Sequence, residues 1–191
     1  MNRIMVIGIS PGVGKSTFAR RLGNILNLKV YHLDAYYWKP NWIEAPYEEF
    51  ANAQKEIVKK SQWIIEGNYN KTFDIRAEHA EAIIYLELPL RVCLYRVVKR
   101  WLTNIGKKTD QIWEMAVRRN WIGHSSSLSA PRTILVRKKM HQRFQDFQRI
   151  APEKEIIILN TKKRHETVFG RDKLTKIIKY IQEQLLEVVN S

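Results

Sequence analysis

Short apolar runs recur along the chain and alternate with segments whose apolar residues follow helical spacing. The runs predict strands at about 3–8, 29–33, 62–66, 82–88 and 155–159. Runs of this length with helical segments between them are typical of βαβ units around a buried parallel sheet. The pattern therefore predicts an α/β fold in three layers, with the sheet in the middle.

Helical spacing identifies the segments between the strands. The predicted helices are Phe18 to Leu26, one opened by Pro46, one starting at Pro89, one starting near Pro131, and a last one from Leu174 to Val188. Proline in the first turn is a usual helix start, because its missing N–H has no partner there in any case. The first two of these helices carry apolar stripes, so we expect both to pack on the sheet.

Between about 103 and 131 the helical spacing of apolar residues becomes less regular. One short helical segment lies there between two polar stretches. This pattern predicts a lid-like insertion within a single domain spanning 1–191. The length and a hydrophobic content of 45% allow one sizeable core. No apolar run approaches the roughly 20 residues of a membrane span, so we expect a cytoplasmic protein with no membrane partner. The single cysteine, Cys93, excludes an internal disulfide, and its apolar neighbours indicate a packed thiol.

A glycine-rich turn follows the first predicted strand directly and leads into the first helix. Gly12 and Gly14 allow a tight turn whose N–H groups point inward, Lys15 can reach β- and γ-phosphates, and Ser16 can bind Mg²⁺. The motif departs from G-x-x-x-x-G-K-[ST] at Ile9, since the nearest glycine, Gly8, comes one residue early. A turn without a ligand is the alternative. The predicted phosphate-binding residues are Ser10, Pro11, Gly12, Val13, Gly14, Lys15, Ser16 and Thr17.

Two carboxylates stand near the carboxyl ends of predicted strands, where ligands bind in doubly wound sheets. Asp34 is a candidate to orient or deprotonate an acceptor hydroxyl or to hold Mg²⁺ through water, and its alternative role is to cap a helix or turn. Glu66 is placed to bind hydrated Mg²⁺, and the adjacent Gly67 permits close approach to a ligand; a surface glutamate is the alternative.

Arginines are needed to neutralise phosphate charge. Arg96 and Arg100 lie four residues apart, so they share one face of the helix after the fourth strand and can grip a triphosphate. An exposed basic helix face is the alternative. Arg76 is a candidate contact for the acceptor, and a salt bridge to a local carboxylate is its alternative.

Positive charge is concentrated in one part of the chain. The net charge is +14, and residues 91–149 hold 14 Lys/Arg against 3 Asp/Glu, a net +11. This stretch indicates an anionic partner, which is either phosphorylated ligands or a nucleic-acid backbone. A solvated basic surface is the alternative.

The order of these motifs resembles the P-loop kinases of the adenylate kinase kind. The runs Tyr31–Asp34, Trp38–Trp42, Trp63–Tyr69, Leu88–Pro89 and Arg96–Arg100 are more closely similar to the family labelled DNA topology modulation protein, FlaR type. This resemblance covers roughly residues 3 to 102. It implies a five-stranded parallel sheet of order 2-3-1-4-5, ATP as donor and a lid that closes over it.

The resemblance does not identify the acceptor. Asn68-Tyr69 follows Gly67 where adenylate kinases carry a Phe-Pro-Arg-like run, so adenosine monophosphate is not indicated. The resulting hypothesis is an ATP- and Mg²⁺-dependent kinase for a small nucleotide-like or hydroxyl-bearing acceptor, with Lys15, Asp34, Arg96 and Arg100 as its catalytic residues. An ATP-binding regulator associated with nucleic acid and a plain ATPase remain the alternatives, and the oligomeric state is left open.

Overall fold

The architecture comes from a computed structural model, which describes residues 1–10, 12–104 and 130–160. Its strands are β1 (Arg3–Gly8), β2 (Val30–His32), β3 (Trp63–Glu66), β4 (Ala82–Glu87) and β5 (Glu155–Asn160). Its helices are α1 (Lys15–Leu26), α2 (Asp34–Tyr37), α3 (Tyr47–Val58), α4 (Phe73–Ala77), α5 (Leu90–Asn104) and α6 (Ala130–Ile150). Two 3₁₀ turns lie at Pro40–Trp42 and Asn70–Thr72.

The five strands form one parallel sheet in the order β2-β3-β1-β4-β5. This order confirms the predicted α/β fold class, a five-stranded parallel sheet of order 2-3-1-4-5. The predicted strands agree with the observed ones to within one residue at each end. They were readable because strands covered on both faces consist of nearly continuous apolar runs. In β4, for example, all six residues are buried.

Helices cover both faces of the sheet. Gly23 of α1 lies against Ile64, whose side chain would be 3.7 Å from a Cβ at that glycine. Phe144 of α6 packs edge-on to Tyr85, with ring centroids 5.3 Å apart. The partners of Ile64 and Tyr85 on β1 are three positions apart, and side chains at odd spacing point to opposite faces of a sheet. Thus α1 and α6 lie on opposite faces.

Helix α6 also contacts α4. Arg143 lies over the ring of Phe73, at 3.9 Å from its centroid, and donates a 2.6 Å hydrogen bond to Asp74. A cation over an aromatic face and a charge-assisted hydrogen bond stabilise this contact together. This packing brings α6 close to the loop that follows β3, beside the carboxyl end of β1.

Several predicted segments fall where the structure gives no description. The C-terminal helix from Leu174 to Val188 and most of the lid-like insertion at about 103–131 lie outside the described residues. The helices predicted from Pro46, Pro89 and Pro131 correspond to α3, α5 and α6.

Candidate functional site

The glycine-rich turn connects β1 to α1 with two left-handed residues. Gly12 has φ 80° and Gly14 has φ 98°, a conformation that residues with a Cβ rarely adopt. A Cβ at Gly12 would also lie 2.5 Å from the carbonyl oxygen of Cys93, because α5 packs directly on the turn. Gly14 is the N-cap of the 12-residue α1. The turn therefore presents a helix N-terminus, which favours anions through its free N–H groups and its dipole.

Gly8 explains the departure of the motif at Ile9. The N–H of Ile9 donates to the carbonyl of Leu86 at 2.9 Å, so Ile9 continues the pairing of β1 with β4 and is buried. A Cβ at Gly8 would lie 2.6 Å from Cγ1 of Val13. The close approach at the start of the turn is therefore made by Gly8, one residue earlier than in the usual motif.

Asn68 holds Gly8 in place, a role that the sequence did not reveal. Its side-chain oxygen accepts a 2.9 Å hydrogen bond from the Gly8 N–H, and its amide group donates a 2.6 Å bond to the Gly8 carbonyl. An amide side chain directly after a strand end was the only available signal. The pairing joins the loop after β3 to the phosphate-binding turn.

We expect Asn68→Ala to loosen this turn. Losing both hydrogen bonds should lower the free energy of unfolding by about 1–2 kcal/mol and weaken nucleotide binding. Urea denaturation and calorimetric titration measure the two effects. Asn52→Ala, at an exposed position on α3, is the matched control. Equal unfolding midpoints for the two variants would contradict the assignment.

Behind the turn, Ser16 and Glu66 meet. The Ser16 hydroxyl donates to Oε2 of Glu66 at 3.1 Å, and Nδ1 of His32 lies 2.9 Å from the same oxygen. Glu66 is only 4% exposed. Burial raises its pKa, but the hydrogen bond with His32 and the charge of Lys15 outweigh this effect and leave the pKa below its usual value. The site therefore contains a buried, charged carboxylate beside a hydroxyl.

The other predicted phosphate-binding residues lie around the same turn. Ser10 and Val13 are buried, Lys15 is the first residue of α1, and Thr17 lies in its first turn. Pro11 lies outside the described residues. Cys93 is a buried thiol on α5, as predicted, and burial raises its pKa.

Arg96 reaches the turn from α5. Its Nη1 donates to the carbonyl of Val13 at 3.3 Å and would lie 3.4 Å from a Cβ at Gly14. Burial lowers the pKa of its guanidinium. The backbone of Arg100 follows one turn later in α5, but its side chain lies outside the described residues. Of the predicted pair Arg96 and Arg100, the structure therefore shows the side-chain position of Arg96.

Asp34 differs from its predicted position at a strand end. β2 stops at His32, and Asp34 is the exposed first residue of α2, with Leu33 as the N-cap. Its Oδ1 accepts a 2.6 Å hydrogen bond from the hydroxyl of Tyr69. Burial, followed by the charge of Asp34, raises the pKa of Tyr69. Tyr69 thus joins the loop after β3 to α2, and no pattern in the sequence had paired them.

Tyr69 is also part of an aromatic cluster. Its ring lies 4.7 Å from the rings of both Tyr37 and Phe50. Rings at such distances stabilise one another beyond their burial. These ring contacts hold α2, the helix to which both Tyr37 and Asp34 belong.

Arg76 is placed differently from either sequence-based role. It is fully buried, and its guanidinium donates to the carbonyls of Gly67 at 2.8 Å, Tyr69 at 2.7 Å and Thr72 at 3.4 Å. Its hydrogen bonds go to backbone oxygens because α4 turns the side chain beneath the loop after β3. The sequence suggested a contact between Arg76 and the acceptor. In the structure Arg76 is buried and supports the loop that carries Asn68 and Tyr69 instead.

Part of the basic stretch is neutralised within the fold. On α6, Arg137 lies 3.5 Å from Glu87, Arg143 pairs with Asp74, and Arg149 lies 3.8 Å from Asp146. His141 also lies 2.6 Å from Glu87. Glu87 and Asp74 lie outside residues 91–149, so they offset part of the net +11 of that stretch, whereas Asp146 is already included in the sum.

Two features are absent from the part of the chain that the structure describes. Within the described ranges, no three His, Cys, Asp or Glu side chains group together as a metal site. Among the helices described, none is long and apolar enough to span a membrane. A Mg²⁺ ion held on substrate phosphates needs only one or two protein groups, so a cluster of three is not required for one.

Comparison with known proteins gives structural matches only. No family model matches the chain, and no curated protein matches it. A shikimate kinase from Bacteroides thetaiotaomicron is similar with a TM-score of 0.48 at 16% identity, over 100% of this chain and 99% of that one. A sugar kinase from Janibacter sp. HTCC2649 gives 0.47 at 16%, over 98% and 93%. A gluconokinase from Sinorhizobium meliloti 1021 gives 0.45 at 14%, over 99% and 94%.

At these scores the matches do not decide activity. The fold class rests instead on the strand order and the parallel pairing of the sheet itself. Function has to be argued from the site.

Proposed function

We propose that the chain is an ATP- and Mg²⁺-dependent phosphotransferase acting on a small acceptor. The observation that carries this proposal is the hydrogen bond between Ser16 and Glu66 at the N-terminus of α1, behind a turn with two left-handed glycines. A structural turn needs neither a buried carboxylate nor a hydroxyl in contact with it. A site for a metal-bound polyphosphate needs both.

The residues present fit ATP and Mg²⁺. The N–H groups of the turn and the Lys15 ammonium would bind the phosphates, and Ser16 with Glu66, through water, would hold Mg²⁺. Bound Mg²⁺ neutralises phosphate charge during transfer. Arg96, already in contact with the turn, would add positive charge there. Arg100 remains part of the proposal as its neighbour on α5.

Asp34 is the proposed residue for the acceptor. Its carboxylate is exposed at the ligand end of the sheet and is oriented by the hydroxyl of Tyr69. There it would hold an acceptor hydroxyl and take its proton as the hydroxyl oxygen bonds to the γ-phosphorus of ATP and the bond from that phosphorus to the departing ADP oxygen breaks. The FlaR-type resemblance and a cytoplasmic location accompany this proposal as expectations from the sequence.

Calorimetric titration with Mg·ATP tests the proposed function directly. Heat that saturates at one nucleotide per chain is expected, and the signal should weaken when Mg²⁺ is chelated. Titration without any heat would overturn the proposal.

Glu66→Gln should weaken Mg²⁺ binding by about 10–100-fold, because the neutral amide loses the attraction to the cation. The Mg²⁺ dependence of nucleotide binding measures this change. Glu48→Gln, at an exposed position on α3, is the matched control. Because the pKa of Glu66 is lowered on folding, its stabilising contribution should be present at neutral pH and lost as the pH falls below about 4.5. An unchanged Mg²⁺ dependence would remove Glu66 from the site.

A further inference from the structure

We infer that the acceptor is an uncharged, hydroxyl-bearing compound, part of which binds in a cavity between the loop after β3 and α6. This inference rests on the proposed phosphotransferase function and specifies the acceptor of the same site. It separates the two acceptor classes that the sequence left open, a nucleotide-like compound and a hydroxyl-bearing one. Three observations support it, which concern the position of the cavity, a buried hydroxyl and the distribution of charge.

The cavity opens beside the first residues of the phosphate-binding turn. Its walls come from β1, β4, the loop after β3, α4 and α6. The residues that define it are Ile9, Asn68, Asn70, Phe73, Tyr85 and Met140. Asn68 is the residue that also holds Gly8, and Tyr69, between the two asparagines, contacts Asp34. One loop therefore contributes both to the wall of the cavity and to the hydrogen bond that orients the carboxylate proposed to bind the reacting hydroxyl.

Tyr85 brings an unused hydroxyl to this cavity. The residue is 1% exposed, and its Oη has no hydrogen-bond partner among the described residues. A buried polar group without a partner is costly, so native structures rarely keep one without a reason. The Oη is enclosed by its neighbours, so a ligand hydroxyl in the cavity would supply the missing partner once the lining side chains shift to admit it. Asn70 offers both a donor and an acceptor nearby.

The described residues that line the cavity carry no charged side chain. Its described lining is apolar except for two asparagines and the tyrosine hydroxyl. A phosphate monoester carries about −1.5 to −2 charges at neutral pH and is usually bound by arginine. Arginines adjacent to these elements are already engaged: Arg76 with loop carbonyls, Arg143 with Asp74 and Arg137 with Glu87.

Asp34 adds to the same argument. Its exposed carboxylate would repel a second negative group held next to the reacting hydroxyl. A neutral polyol has no such penalty, and its hydroxyl groups match a carboxylate, two amides and a phenol. The class indicated is therefore an uncharged sugar or polyol and not a nucleoside monophosphate.

A phosphorylation assay with two sets of probes tests the class. The full-length protein with Mg·ATP is given glycerol, ribose, glucose or myo-inositol in one set, and AMP, CMP, UMP or GMP in the other. ADP release and the mass of the product are measured. Phosphorylation of at least one uncharged probe, with a kcat/KM at least 100-fold above that of every monophosphate, is expected. Phosphorylation of a monophosphate alone overturns the inference but supports the proposed function.

Binding of Mg·ATP without phosphorylation of either set also overturns the inferred class. Failure to bind Mg·ATP overturns the proposed function itself, and calorimetry distinguishes this outcome from the others.

Tyr85→Phe then tests the cavity with the best uncharged probe. The acceptor KM should rise about tenfold, because one hydrogen bond is lost, while the KM for ATP stays unchanged and the unfolding midpoint of the free protein does not fall. Asn70→Ala, at an exposed position, should raise the same KM. Tyr31→Phe removes a hydroxyl from another buried tyrosine, on β2, and should leave the acceptor KM as it is. An unchanged acceptor KM in both cavity variants would place the acceptor elsewhere.

Discussion

Lys15→Ala is expected to lower phosphoryl transfer by about 10²–10³-fold while the protein stays folded. Lys15 is the first residue of α1, where in the proposed function the N–H groups of the turn and the ammonium would act on the same anion. Phosphoryl transfer depends on positioning and on stabilising charge, so removal of this cation affects the transition state directly. Rates of ADP formation with the best acceptor measure the loss.

The fold should tolerate this change, because the side chain of Lys15 is only partly buried. Circular dichroism and urea denaturation should therefore match those of the unaltered chain. Lys55→Ala, at an exposed position on α3, is the matched control and should keep full activity. Transfer that persists in Lys15→Ala at more than a tenth of the original rate would exclude the phosphate-binding role.

The strands and the phosphate-binding turn were predictable because they depend on local sequence. A strand buried on both faces is an apolar run, and a left-handed turn before a helix requires glycine at fixed positions. Gly12 and Gly14 could thus be assigned from spacing alone. The place of Glu66 followed from the rule that ligands bind at the carboxyl ends of parallel strands.

The side-chain partners were not predictable, because they depend on contacts between distant parts of the chain. Asn68 binds Gly8 from 60 residues away, and Tyr69 binds Asp34 from 35 residues away. Composition likewise counts charges without showing which of them are paired. Arg143, for example, contributes to the basic stretch but is engaged by Asp74 on α4.

Arg76 has a structural role where the sequence suggested a ligand-binding one. From the sequence it was a candidate either to contact an acceptor or to form a salt bridge with a local carboxylate. Burial instead lowers its pKa to about 10, which still leaves the guanidinium charged at neutral pH. The charge is retained in the interior because backbone oxygens of the loop after β3 accept its hydrogen bonds.

Arg76→Met should therefore destabilise the protein by about 3 kcal/mol. The thioether fills much of the space but leaves the carbonyls of Gly67, Tyr69 and Thr72 without their donor. Arg76→Lys should lose less, because an ammonium can still donate but cannot reproduce the planar fork. Urea denaturation measures both changes. Since this loop also carries Asn68 and the tyrosine that orients Asp34, the acceptor KM should rise in Arg76→Lys.

A matched control is Arg20→Met, at an exposed position on α1, which should stay within about 0.5 kcal/mol of the unaltered chain. Full stability in Arg76→Met would mean that the three hydrogen bonds do no more than offset the desolvation of the guanidinium. In that case the loop after β3 would be held by Asn68 and by the aromatic contacts of Tyr69, and the acceptor KM of Arg76→Met would also be unchanged. A loss of stability together with a raised KM indicates instead that a buried arginine sets the geometry of the acceptor side of the site.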